Sequence, residues 1–423
     1  MNAANPSIRS GGWRWAALAL AAAAGLIAIE RWQSGSPPLE QHSAAPTALS
    51  GLPRNYPDAL ARIDAAISTA TAQAAAGSDQ WLLHEMVARN YHERARLSGS
   101  YDDWAAAGTA LDRAFAVALP RSGPHLARAQ IDFGMHRLAR AERQLALIDD
   151  YAIPPPPEER AEIAAMRGDI AFYRGDLKGA TNRYDEADRL APGTATFRRA
   201  IYASKTGNPE GVERYIDRSE RETSLLSPHT RGYLELQRGI LDLERERLDE
   251  ALAHFRRADR MFPGHWLIEE HIAETLALQG HLAEAEQRYR DIIRRTGHPE
   301  FMDALAGVLE QQKKESEARR FRDQAWSVWQ KRLKQFPEAS YGHALDHCID
   351  KGDWPCALRL ARNNHAARPY GDAKIGLARA LIGSGRVEEA RSIIDSLRET
   401  PWRTPELQRI QDELEPVARA STN

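Results

Sequence analysis

The sequence has little that belongs to an enzyme. No GxxxxGK phosphate loop occurs, no GxGxxG and no GxSxG, so the backbone cradles and the exposed nucleophile turn those patterns specify are missing. His84-Glu85 opens like a zinc-protease helix, but that motif needs its second histidine at 88, where Ala88 stands, and His92 comes too late. Charge of one sign is lacking as well. A formal charge of -2, with Arg and Glu interspersed, leaves no basic stripe, which excludes a nucleic-acid surface. Val, Ile and Thr nowhere alternate in strand-like runs, so the class is all-α. Cysteine is scarce, two in 423 residues, and neither lies near the N-terminus to carry a lipid.

Long hydrophobic runs are also absent, with one exception. Residues 13–32 read WRWAALALAAAAGLIAIERW, uncharged from Trp15 to Ile29. At ~1.5 Å per residue that inner run spans roughly 22 Å, and the flanking tryptophans with a snorkelling Arg14 extend it toward the ~30 Å of a hydrocarbon core. The run is either a cleaved secretory signal or a retained anchor. The small residues that would precede a cut, Ser34-Gly35-Ser36 and Ser43-Ala44-Ala45, are each followed by proline, which disfavours cleavage and favours an anchor. Arg9 and Arg14 precede the run without an acid, while Glu30 offsets Arg31 behind it. The positive-inside rule then gives a short cytoplasmic N-terminus at 1–12, a transmembrane signal anchor at 13–32 and a body on the far side. In a bacterium this is an inner-membrane protein with its body in the periplasm; the reversed topology leaves that body in the cytoplasm. Residues 33–55, rich in Ser, Pro and Ala, form a linker, and the helical body follows from 56 to 420.

What the body does have is a repeat. Around Ala180 stand Gly168 twelve residues before, Gly175 five before, Tyr184 four after, Ala187 seven after and Pro192 twelve after. Around Ala251 the same offsets hold Gly239, Phe255, Ala258 and Pro263. Further reference alanines fall at Ala107, Ala141, Ala285, Ala318, Ala357 and Ala390, and a degenerate copy centres on Gly207-Asn208-Pro209 with Gly211 in the alanine position. This register resembles the tetratricopeptide repeat (TPR), whose period is ~34 residues. About nine copies cover roughly 79–400, with an extra helix from Pro57 to Ala76 in front and a capping helix from about Pro405 to Leu414 behind. Each marker has a physical task. Small residues let the paired helices approach, Tyr184 and Phe255 fill the space beside them, and Gly175 ends a first helix where φ is positive. Ser100, Asp176, Asn208 and Asp353 cap second helices. The run Pro154 to Pro157 predicts a break between two segments of the array.

The resemblance covers about three quarters of the chain and implies a right-handed α-solenoid whose inner face holds a peptide or helix of another protein. Its groove positions transfer to Asp169, Phe172 and Tyr173 in one copy, Tyr233, Leu236 and Ile240 in a second, and Glu270, Glu274 and Leu278 in a third. The expected function is a non-catalytic protein-binding scaffold or assembly factor with partners in the cell envelope and no cofactor. The alternative is an enzyme accessory, or a module that binds a metal or small ligand through the groove's histidine and acidic residues.

Two local features remain. His343 and His347 in HALDHC stand at i and i+4, so both imidazoles share a helix face, but no third ligand at proper spacing accompanies them. Cys348 and Cys356 flank the turn IDKGDWP on neighbouring antiparallel helices, so they form either a disulfide or two packed thiols.

Overall fold

Turn chemistry and close helix contacts set the architecture. In the computed structural model, which describes residues 52–222 and 227–420, twenty helices follow one another and no strand occurs among the described residues. In chain order they are α1 (Tyr56–Ala76), α2 (Trp81–Ser98), α3 (Tyr101–Val117), α4 (His125–Gly134), α5 (Leu138–Ile148), α6 (Pro157–Tyr173) and α7 (Leu177–Leu190). Next come α8 (Thr196–Lys205), α9 (Pro209–Glu222), α10 (Pro228–Glu244), α11 (Leu248–Met261), α12 (Trp266–Leu278), α13 (Leu282–Thr296) and α14 (Pro299–Gln311). The last are α15 (Glu315–Gln335), α16 (Pro337–Asp350), α17 (Trp354–Ala367), α18 (Gly371–Gly383), α19 (Val387–Arg398) and α20 (Pro405–Ala420). From α2/α3 to α18/α19 they alternate as first and second helices of the repeat. The anchor expected at Trp13–Trp32 and its linker as far as residue 51 lie outside the described residues. Among the described residues no helix is long and apolar enough to cross a membrane.

The caps stand where the sequence places them. Asp176 accepts from the Gly179 amide at 2.8 Å, Asn208 from Gly211 at 2.9 Å, Ser100 from Asp103 at 3.2 Å and Asp353 from Cys356 at 3.1 Å. Each satisfies an amide that a helix start leaves without an intrahelical acceptor. Gly175 turns the chain from α6 to α7 at φ 79°, a conformation that costs a side-chain-bearing residue energy. Gly168 serves close approach instead: a Cβ there would lie 2.6 Å from the Tyr184 ring, and one at Gly239 would lie 2.4 Å from Phe255. The small-residue and aromatic positions of the repeat are therefore in contact across these two hairpins.

The described residues form two compact units, 52–199 with 217–222 and 227–230, and 200–216 with 231–420, so the division falls within α8, α9 and α10. It does not fall at the proline run, where the sequence predicts a break. In the first unit the segment just before that run is held: Arg121 Nε donates to the Asp150 carbonyl at 2.8 Å and the Ala152 amide to the Arg121 carbonyl at 3.0 Å. Tyr151 adds a hydrogen bond from its hydroxyl to the Gly123 carbonyl. α5 ends at Ile148, before the prolines, and α6 starts at the last of them, Pro157.

His92 shows how tightly the first unit is packed. It lies buried on α2 with its ring 4.8 Å from that of Trp104, and burial, with Arg96 and Arg89 assisting, pushes it down to about 3. A histidine with a depressed folded value supports the fold fully above its unfolded value of ~6.5 and withdraws that support as pH falls toward the folded value. Between pH 7 and pH 5 the loss from this site is about 2 kcal/mol. In urea titrations at those two pH values, His92→Gln should shrink the wild-type difference by about that amount. An unchanged difference would show that His92 already titrates normally in the folded chain.

The second unit closes on itself. The loop after α8 forms a parallel bridge between Thr206 and Arg403, and the Arg403 amide donates to the Lys205 carbonyl at 2.8 Å. Lys205 Nζ meets Asp372 Oδ2 at 3.0 Å with the lysine side chain 7% exposed. Trp402 is buried beside this contact, its ring edge-on to Tyr370.

Candidate functional site

The groove positions drawn from the resemblance all lie on first helices, and most of their side chains are enclosed. Asp169, Phe172 and Tyr173 on α6, Tyr233, Leu236 and Ile240 on α10, and Glu270 and Glu274 on α12 are buried; Leu278 is half-buried. Asp169 is already engaged: its carboxylate accepts from Arg198 Nε at 2.8 Å and from the Tyr184 hydroxyl at 3.0 Å. Phe172 and Tyr173 meet edge to face at 5.6 Å, and Tyr173 packs in the same way on Phe133. Tyr233, Leu236 and Ile240 are packing residues of the second unit. Within each unit these residues belong to the packing of the first helices.

His343 and His347 on α16 are each stacked on an indole, His343 on Trp329 at 5.8 Å and His347 on Trp326 at 5.1 Å. Asp303 on α14 takes the remaining role, accepting from Trp329 Nε1 at 3.0 Å and lying 2.7 Å from His347 Nδ1. The arrangement orients both rings and engages His347 Nδ1, while His347 Nε2 has no hydrogen-bond partner. Cys348, on the same helix, is joined to Cys356 across the α16/α17 turn, with Cα atoms 5.8 Å apart.

The charged cluster of the second unit lies on α12. Glu270, His271 and Glu274 occupy one turn, at 1%, 0% and 2% exposure. His271 Nδ1 lies 3.3 Å from Glu270 Oε2 and 3.2 Å from Glu274 Oε2. The imidazole is fixed by stacking on Phe255 at 5.2 Å. Burial pushes Glu270 up to about 8, with Glu274 and Glu300 adding repulsion and His271 opposing them. Burial lifts Glu274 well above the carboxylate range and, against the opposing charge of Glu270, holds His271 below the usual imidazole range. Glu270 Oε1, Glu274 Oε1 and His271 Nε2 have no hydrogen-bond partner. Two buried carboxylates with a free oxygen each are an unusual content for a helical array, since such groups ordinarily pair or neutralise. The groove positions name the two glutamates but not His271; the segment EHIAE carried the signal, a histidine beside a glutamate pair at i and i+4.

No model of a known protein family matches the chain, and no curated protein matches it. Among solved structures, 54% of the chain is similar to 87% of a tetratricopeptide repeat protein from Parabacteroides merdae, at 14% identity and a TM-score of 0.32. The TPR domain of P58(IPK) is similar over 86% of this chain and 95% of its own, at 14% identity and a TM-score of 0.29. Yeast Tom70 is similar over 86% of this chain and 88% of its own, at 14% identity and a TM-score of 0.38. The fold is a TPR-like array of helix hairpins, and that statement rests on the chain's own register of small residues, aromatics and caps.

Proposed function

We propose that this chain is a non-catalytic scaffold or assembly factor that binds other proteins, held at the bacterial inner membrane by residues 13–32 with its body in the periplasm. The observation that carries the binding role is the run of helix hairpins in TPR-like register, an architecture that presents extended surfaces. The anchor and topology rest on the sequence of 13–32 and its flanking arginines. Partners are taken to be envelope proteins, since the body would meet those first.

The burial of most groove positions changes where a partner can be caught. Leu278 is half-buried, and so is Asp346, which stands eleven residues before Ala357 as Asp169 does before Ala180. Photo-crosslinking amino acids at Leu278 and Asp346 in intact cells should capture one discrete envelope protein, while exposed second-helix positions Arg294 and Arg319 should not. Equal, diffuse capture from all four positions would remove the groove-binding role. A phosphatase fused to the C-terminus tests the topology separately, because it is active only after export.

A further inference from the structure

We propose that Glu270, His271 and Glu274 are a binding site for one divalent metal ion, zinc or manganese, built into a single turn of α12. The proposal goes beyond the scaffold reading and does not depend on it. Its first support is geometric. Ligand atoms at ~2.1 Å from an ion, separated by angles between octahedral and tetrahedral, lie ~3.0–3.4 Å from one another. The His271 Nδ1 contacts with Glu270 Oε2 and Glu274 Oε2, 3.3 and 3.2 Å, fall inside that interval, and the three residues' ligand atoms all lie within 4.8 Å of one another. An imidazole with two carboxylates suits a borderline first-row ion, not calcium or magnesium.

The second support is independent of that spacing. Each carboxylate keeps an oxygen with no partner, in side chains no more than 2% exposed. Among the described residues neither forms an ion pair with an arginine or lysine: the partner of both is His271. Glu300 has its own cation in Arg332, at 2.7 Å. When ionised, the pair therefore lacks a lysine or arginine counter-ion, and a divalent cation supplies the missing charge. Phe255, stacked on the imidazole, holds the nitrogen in place. Full enclosure makes this a structural ion, taken up as the unit folds.

The test uses the full chain in detergent without a histidine tag, refolded from urea with EDTA, with Zn2+ or with Mn2+, then dialysed and analysed for metal. One equivalent of zinc or manganese should remain per chain, with a denaturation midpoint above that of the EDTA sample. Glu270→Gln with Glu274→Gln should lower retention at least tenfold and abolish the midpoint shift, yet melt no lower than ion-free wild type because a repelling pair has gone. Should the double variant fail to fold, Glu274→Gln alone serves, with the same loss of retention expected. His343→Gln should retain the ion in full. Sub-stoichiometric metal in wild type, or full retention by the glutamine variant, would overturn the proposal and leave a proton shared within the cluster as the compensating charge.

Discussion

Replacing Arg198 by alanine is expected to lower the stability of the first unit by ~3–5 kcal/mol, the usual result of removing one partner from a buried charge network. Arg198 lies on α8, 3% exposed, and bonds to two acids of α6: Asp169 at 2.8 Å and Glu162 at 2.7 Å. It also donates to the Thr194 carbonyl at 3.2 Å. Asp169 in turn takes the Tyr184 hydroxyl, so one guanidinium ties a first helix to the next first helix and to the aromatic that fills the hairpin. Burial already pushes Asp169 upward, with Arg198 the largest opposing influence. Without Arg198 that carboxylate is buried with the Tyr184 hydroxyl but without its cation.

This sets the pH dependence of the variant. Its Asp169 would titrate above the unfolded value, so the penalty is fully present at neutral pH and disappears as acid protonates the group on approaching the ordinary aspartate value of ~3.9. Urea titrations of wild type and Arg198→Ala at pH 7 and pH 4.5 should therefore give a smaller stability difference at the lower pH. Adding Asp169→Leu to an Arg198→Met variant should recover part of the loss, since a buried pair and an apolar replacement of similar volume differ little. A loss at pH 7 below 1 kcal/mol, or one that does not change with pH, would mean that the network is hydrated and contributes only as a surface pair does.

Much of the fold is legible in the sequence because turns and caps are local. Asp176, Asn208, Ser100 and Asp353 announce helix starts, and Gly168 with Tyr184 announces a close hairpin, without reference to distant residues. The same locality explains the miss at Pro154–Pro157. Proline says that a helix cannot continue, but Arg121 and Gly123, far back in the chain, decide whether the segment comes loose. The candidate site is less legible for a related reason. Groove positions derived from one repeat assume an open inner face, whereas the enclosure of Asp169 depends on Arg198 from the next repeat, and that of Glu270 on the packing of several helices. The groove register marks Glu270 and Glu274 singly, whereas the set they form with His271 is a matter of side-chain convergence within the turn.

The closure of the second unit leads to the other large expected effect. Lys205→Met should cost ~3–5 kcal/mol, because Lys205 is the cation shared by Asp372, whose oxygen lies 3.0 Å away, and Glu244. Burial lowers and these two carboxylates raise the lysine's affinity for its proton, and the carboxylates prevail. Without the ammonium, Asp372 and Glu244 repel each other where burial already raises Glu244. The lysine also marks a seam between segments more than 150 residues apart, so the loss should appear first as local opening and not as global unfolding. The Arg403 amide, bonded to the Lys205 carbonyl, is the reporter: its hydrogen exchange should accelerate at least a hundredfold in the variant, while amides inside α12 and α14 slow or hold. Lys351→Ala, at an exposed pair with Asp323 3.7 Å away, provides the control and should change stability by less than about 0.5 kcal/mol. If Arg403 stays protected in Lys205→Met, the seam is held by the Thr206 bridge and the packing of Trp402, and the buried lysine only compensates the acids around it. If it exchanges freely, the charge group is the latch, and a partner that supplies its own cation to Asp372 could open the array there.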